Sequence, residues 1–147
     1  MSTIQRPPSP LLRNGFIALL ALNGLSELVA ASFMFFNLPG AMEMLGVGYN
    51  GQLDILGLVM GNALLFVSGI SALAIVWTAR GKPEGIICGI AVGLFLLSFG
   101  LLAFLMFGQW SAIGVDGARG GLNVLLGVLL LRSMRAGAHA ELPPSAR

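Results

Sequence analysis

A chain of 147 residues that is 56% hydrophobic and 10% charged, with a mean hydropathy of +0.91, is far from an ordinary globular domain, where about 25% of residues carry charge. Its eight Lys and Arg residues against six Asp and Glu give a formal net charge of +2, but the basic residues are scattered singly beside apolar runs and form no nucleic-acid footprint. At about 20 apolar residues per crossing the sequence supplies four spans, and no remaining segment reaches the roughly 50 residues of an independent domain. A water-soluble enzyme, a nucleic-acid-binding module and a membrane-anchored catalytic domain are thereby excluded.

The first apolar run, residues 15–36, is interrupted only by Asn23, Ser26 and Glu27 and is long enough to cross with modest tilt. A signal peptide is the competing reading, with Arg6 and Arg13 as the charged flank and Val29-Ala30-Ala31 as the cleavage site. Against it, the run continues through Phe33-Met34-Phe35-Phe36. Asn37-Leu38-Pro39-Gly40 stops the helix, and residues 41–47 are expected to form a short amphipathic turn at the outer surface, with Met44 and Leu45 facing down and Glu43 up.

The second run, residues 55–79, has no charge and contains Gly57, Gly61, Asn62, Ser68 and Ser71; it ends at the turn Arg80-Gly81-Lys82-Pro83. The third, residues 85–107, carries Gly85, Gly89 and Gly93 at four-residue spacing, a bare face that a neighbouring backbone can approach closely. Trp110 follows just outside it, and Trp77 takes the matching place at the opposite surface, as indole rings do at membrane interfaces. The 12 residues between Arg119 and Arg132 make about 18 Å of helix, too short for a hydrocarbon core of about 30 Å. The fourth span is therefore set at residues 112–131, which draws Asp116 and Arg119 into the outer half of the membrane. Ionisable groups there are costly and face the bundle interior or a polar cavity.

Basic residues near span ends stay in the cytoplasm. Arg6 and Arg13, Arg80 and Lys82, and Arg132, Arg135 and Arg147 all fall on one side, while residues 37–52 and 108–117 have none. Both termini and the 79–84 loop are therefore expected to be cytoplasmic. Glu27 lies 14 residues beyond Arg13, about 21 Å deep, and Arg119 lies 13 residues before Arg132, about 19.5 Å deep. Asn23 and Asn123 are level in the same way. Asp116, Arg119 and Asn123 share one face of the fourth helix with Gly120 and Gly127, and Asn23, Ser26, Glu27 and Ala30 share one face of the first. The two faces are expected to meet, with Glu27 and Asp116 flanking Arg119.

Two readings of that cluster stand side by side. A buried carboxylate–guanidinium pair fixes register and neighbour choice with little net stability; alternatively, Glu27 serves transport or ligand binding, since intramembrane ionisable residues are functional candidates. For Asn62, Ser68 and Ser71 the expectation is an interhelical hydrogen bond or a bond back to the residue's own helix.

Other chemistry is absent. The one cysteine, Cys88, forms no internal disulfide, and the one histidine, His139, lies in the C-terminal tail, so no histidine pair holds a haem. Met42 and Met44 flank Glu43, but two methionines in an apolar turn read as lipid contacts before they read as copper ligands. Gly120-Gly121 lacks the strand and following Lys-Ser/Thr of a nucleotide site, and no serine, histidine and acid share a surface. No cofactor or metal is expected. The Pro-rich ends, Arg6-Pro7-Pro8-Ser9-Pro10 and Leu142-Pro143-Pro144-Ser145, read as solvated tails.

Asn37-Leu38-Pro39 before Ala41-Met42-Glu43-Met44-Leu45-Gly46, Asp54 with Gly57 and Gly61 opening the second span, and Asp116-Gly117 at the outer end of the last follow an order that resembles the DoxX-like superfamily of small bacterial four-helix membrane proteins. The resemblance covers residues 15–131. Where the family pattern has an Arg near the end of the third span, this chain has Phe104-Leu105-Met106. The resemblance implies a four-helix bundle in the inner membrane and no defined activity; a few relatives are accessory subunits of quinone-linked oxidoreductases. The leading expectation is an all-α integral membrane four-helix bundle in the cell inner membrane. It is expected to be a non-enzymatic accessory or assembly subunit that packs against a membrane-protein partner or itself through the glycine-faced third helix. The alternative is a small proton-coupled exporter, similar to the small multidrug-resistance transporters, in which Glu27 alternates between protons and cationic substrate.

Overall fold

The computed structural model describes residues 9–44, 46, 48–49, 51, 54–108 and 110–140. The expected tails, residues 1–14 and 134–147, fall outside the described residues at 1–8 and 141–147, as does the placement of Leu45; residues 10–14 and 134–140 are helical instead, because the first helix already begins at Pro10 and the last continues to Ala140. Among the described residues the regular elements are all helical: α1 (Pro10–Phe36), α2 (Leu38–Met44), α3 (Asp54–Ala79), α4 (Pro83–Phe107), α5 (Trp110–Ala112), a π-helical turn (Ile113–Gly117) and α6 (Ala118–Ala140). Four stretches among the described residues are long and apolar enough to cross a membrane, namely Pro10–Phe36, Asp54–Ala79, Pro83–Leu105 and Ile113–Met134. The chain is a multi-pass membrane protein built as a four-helix bundle.

Local chemistry sets the ends of these helices. Pro10 and Pro83 sit in the first turns of α1 and α4, where a missing N–H costs nothing and the fixed φ favours the helix. α4 stops at Gly108, in the left-handed region at φ 68°, whose N–H donates to Phe104 O at 2.7 Å; this is the conformation glycine adopts without a Cβ penalty. Asn37 breaks α1 and starts α2: its N–H donates to Phe33 O (2.9 Å), while its side-chain Oδ1 accepts from the Gly40 N–H (3.3 Å). The expected amphipathic turn is thus a helix beginning earlier, at Leu38. Within it Met42 is buried in the bundle at 1% exposure, while Met44 is 77% exposed. The reason is that Leu38 lies directly over Gly57 of α3, which fixes the rotation of α2 so that Ala41 and Met42 turn into the bundle.

Around the bundle α1 packs on α3, α3 on α4 and α4 on α6, and α6 closes back on α1 along the most sparingly packed of the four seams. Along α1 the buried residues run Phe16, Leu20, Asn23, Gly24, Glu27, Ala31 and Met34. A polar layer therefore separates two apolar ones. One apolar cluster gathers Phe16, Leu20, Val67, Ala74, Ile86, Val92, Leu96 and Leu130, and the other Ala31, Met34, Ala41, Met42 and Leu64. Leucines, valines and phenylalanines cover the outside, Leu25, Phe66 and Leu105 among them; this is the surface a lipid solvent requires.

The three glycines of α4 are buried, but not against one neighbour. A Cβ on Gly85 would strike Thr78 and Ala74 of α3, one on Gly89 would strike Phe16 and Leu20 of α1, and one on Gly93 would lie 2.8 Å from Gly120 O of α6. Four residues turn a helix by about 400°, so each step drifts about 40° around the axis. That drift carries the glycine row across three partners in the same chain. The expected external docking face on α4 is therefore occupied from within.

Candidate functional site

The polar layer is assembled where the sparsest seam closes. α1 presents Asn23, Ser26 and Glu27 at helical spacing, and the start of α6 presents Arg119 one turn after Asp116, which lies in the π-helical turn. A π turn widens the helix by one residue and recurs at functional positions; nothing in the residue pattern announced it.

Arg119 organises the layer. Its Nε donates to Asn23 Oδ1 (3.0 Å), its Nη1 to Asp116 Oδ1 (3.4 Å), and its Nη2 to Glu27 Oε1 (3.4 Å) and to Ser26 Oγ. All three guanidinium nitrogens are thus engaged by this chain. Ser26 can accept because its own hydroxyl proton is committed to its helix, within reach of Leu22 O (2.8 Å) and Asn23 O (3.0 Å). The Glu27 side chain is 7% exposed, Arg119 20% and Asp116 24%, so the cluster is largely screened from its surroundings. It holds two carboxylates against one guanidinium, an excess of one acid.

Asn123, although level with Asn23, turns the other way. Its Nδ2 donates to Gly89 O of α4 at 2.8 Å, tying α6 to α4 at the point where Gly89 leaves the carbonyl reachable. Asn23 Nδ2 and Asn123 Oδ1 are buried without a hydrogen-bond partner among the described residues. Asn62 does not belong to the site. It is exposed on the outer side of α3, with Nδ2 bonded to Leu58 O of its own helix at 2.8 Å. The face of α3 that reaches the interior is Gly57, Gly61, Leu64, Val67, Ser71, Ala74 and Thr78, and position 62 falls opposite it. Ser71 is buried and donates to Val67 O at 2.8 Å.

The sequence places Ser26 on the meeting face, but without a role as a partner of Arg119. The signal was present, because Ser26 lies one turn from Asn23 on the Glu27 face, but a serine in a helix reads first as bonded to its own backbone. Here it does that and accepts from Arg119 as well.

Chemically, the arrangement holds a cation in place by a neutral amide, a hydroxyl and two acids. An open groove of about 320 Å³, lined by Leu97, Ser98, Leu101, Ile113 and Gly117, takes in none of the charged side chains. Among the described residues no three His, Cys, Asp or Glu side chains converge as a metal site would require. No family model matches the chain, and no curated protein or solved structure is found similar to it.

Proposed function

We propose that this multi-pass membrane protein is non-enzymatic, an accessory or assembly subunit of the inner membrane with both termini cytoplasmic, and that its charged layer serves to hold its first and last helices together. The observation that carries this reading is the engagement of Arg119, whose three nitrogens all bond to residues of the same chain. A transporter needs its intramembrane carboxylate to release one partner for another; Glu27 faces a guanidinium that three further groups keep in position. The order of motifs resembles that of the DoxX-like proteins, a few of whose relatives are accessory subunits.

One observation favours proton-coupled export as a second reading. The layer holds one more acid than base, which gives an exchangeable proton a place to sit. Proteoliposomes with an imposed pH gradient and a trapped pH-sensitive dye separate the two. The accessory reading expects the gradient to persist with cationic drugs outside, and a stoichiometric partner to follow the chain through gentle extraction from native membranes. Drug-dependent collapse of the gradient that disappears in Glu27→Gln would replace it with the exporter.

A further inference from the structure

Asn62 is in an unusual place for an amide. It lies eight residues beyond Asp54 along α3, about 12 Å below the outer end of the helix, inside a hydrocarbon layer whose half-thickness is about 15 Å. It faces outward, between Leu58 and Phe66. One Nδ2 hydrogen is taken by Leu58 O; among the described residues Oδ1 accepts nothing, and lipid tails offer no donor. A polar group in hydrocarbon that lacks a partner is costly, and amides in spanning helices are commonly satisfied across a helix pair.

The same outward stripe continues through Phe66, Gly69 and Leu73, at i+4, i+7 and i+11 from Asn62. Nothing lies within 4 Å of the position a Cβ on Gly69 would take, so another backbone can come close two turns from the amide. The occupant's chemistry follows from the amide itself, which carries a donor and an acceptor and is therefore complementary to an identical amide. A second copy inserted with the same topology runs its α3 parallel to the first and places its own Asn62 at the same depth. A two-fold axis between them then pairs each residue with its equivalent.

We propose that the outward stripe of α3, formed by Asn62, Phe66, Gly69 and Leu73, is where a second copy of this chain docks, with the two Asn62 amides hydrogen-bonded across the axis. The glycines of α4 are consumed within the bundle, whereas Gly69 on the outside of α3 leaves space two turns from an outward-facing amide. This surface is separate from the Arg119 layer, and its failure would leave the reading of that layer intact.

The test uses the full chain, fluorescently labelled and reconstituted into phosphatidylcholine vesicles over a range of protein densities, with self-association read by energy transfer. The wild type is expected to dimerise. Asn62→Leu, which adds only apolar surface at a lipid-facing position, is expected to weaken the dimer roughly tenfold, while Asn62→Gln retains most of it. In a Cys88→Ala background, Leu73→Cys is expected to form an oxidative dimer faster than Leu101→Cys on the outside of α4. A wild type that stays monomeric at every density, an Asn62→Leu dimer as tight as wild type, or equal cross-linking at the two cysteines would each overturn the proposal. So would cross-linking of Leu73→Cys to a different protein in native membranes when the purified chain remains monomeric.

Discussion

Removing Arg119 and removing Glu27 should not cost the same, although they are partners. At 3.4 Å a unit-charge pair attracts by about 5 kcal/mol at an effective dielectric of about 20, before desolvation is subtracted. Arg119→Gln deletes the pair, the contact to Asp116 and the anchor of Asn23 and Ser26, and leaves two carboxylates facing one another with Glu27 only 7% exposed. Breaking a buried pair in this way costs about 3–5 kcal/mol in soluble proteins. Distances of 3.4 Å and the partial exposure of Arg119 place this case at the low end, about 3 kcal/mol. Glu27→Gln leaves the guanidinium with Asp116, Asn23 and Ser26 and should cost about 1 kcal/mol. The double variant should be more stable than Arg119→Gln alone, because the stranded acid is gone. Reversible unfolding in bicelles by steric trapping supplies the four free energies of the cycle. Equal losses from the two single changes, or a double variant that simply sums them, would refute the shared-cation description.

Three further outcomes follow from the packing and the outer loop. Gly120→Ala places a methyl 2.8 Å from the Leu97 backbone nitrogen, where neither helix can yield, and should cost roughly 1–3 kcal/mol in the same unfolding assay; Gly15→Ala, with nothing within 4 Å, should not destabilise. Met42→Ala empties a fully buried site and should cost about 2–4 kcal/mol, whereas Met44→Ala, at a residue 77% exposed, should leave stability unchanged. The Tyr49 hydroxyl donates to Asp54 Oδ1 at 2.7 Å, and that hydrogen bond, with desolvation and the Asp54 charge adding to it, raises the phenol above its ordinary value of 10.0. The bond is present below pH 10 and is lost as pH rises through the raised value. Because Tyr49 is the one tyrosine in the chain, phenolate absorbance reports it alone, and Asp54→Ala should bring the midpoint down toward 10.

The spans were legible because apolar runs and breakers are local properties. The meeting of Glu27 and Arg119 was legible for a different reason: a helix converts sequence position into depth, and two charges at one depth in hydrocarbon have few other partners. Rotation about the helix axis is not encoded so directly. Asn62 and Asn123 look alike in sequence, yet one faces out and the other bonds to Gly89, because the side facing inward is decided by the whole row of small and large residues on each helix. Gly85, Gly89 and Gly93 were recognisable as points of close approach, but the identity of each neighbour depends on the drift of a four-residue repeat around a 3.6-residue helix. The π-helical turn had no signature, since Ile113-Gly114-Val115-Asp116-Gly117 contains nothing that favours five-residue closure over four.

The separation of Glu27 and Arg119 along the chain, 92 residues, also imposes an order on biosynthesis. At about 5–20 residues per second the acid leaves the ribosome roughly 5–20 s before the cation that will hold it. During that interval the first helix carries an unpaired carboxylate near mid-membrane. A ribosome stalled between α4 and α6 would leave a three-helix intermediate in which Glu27 has no guanidinium and is favoured to take up a proton.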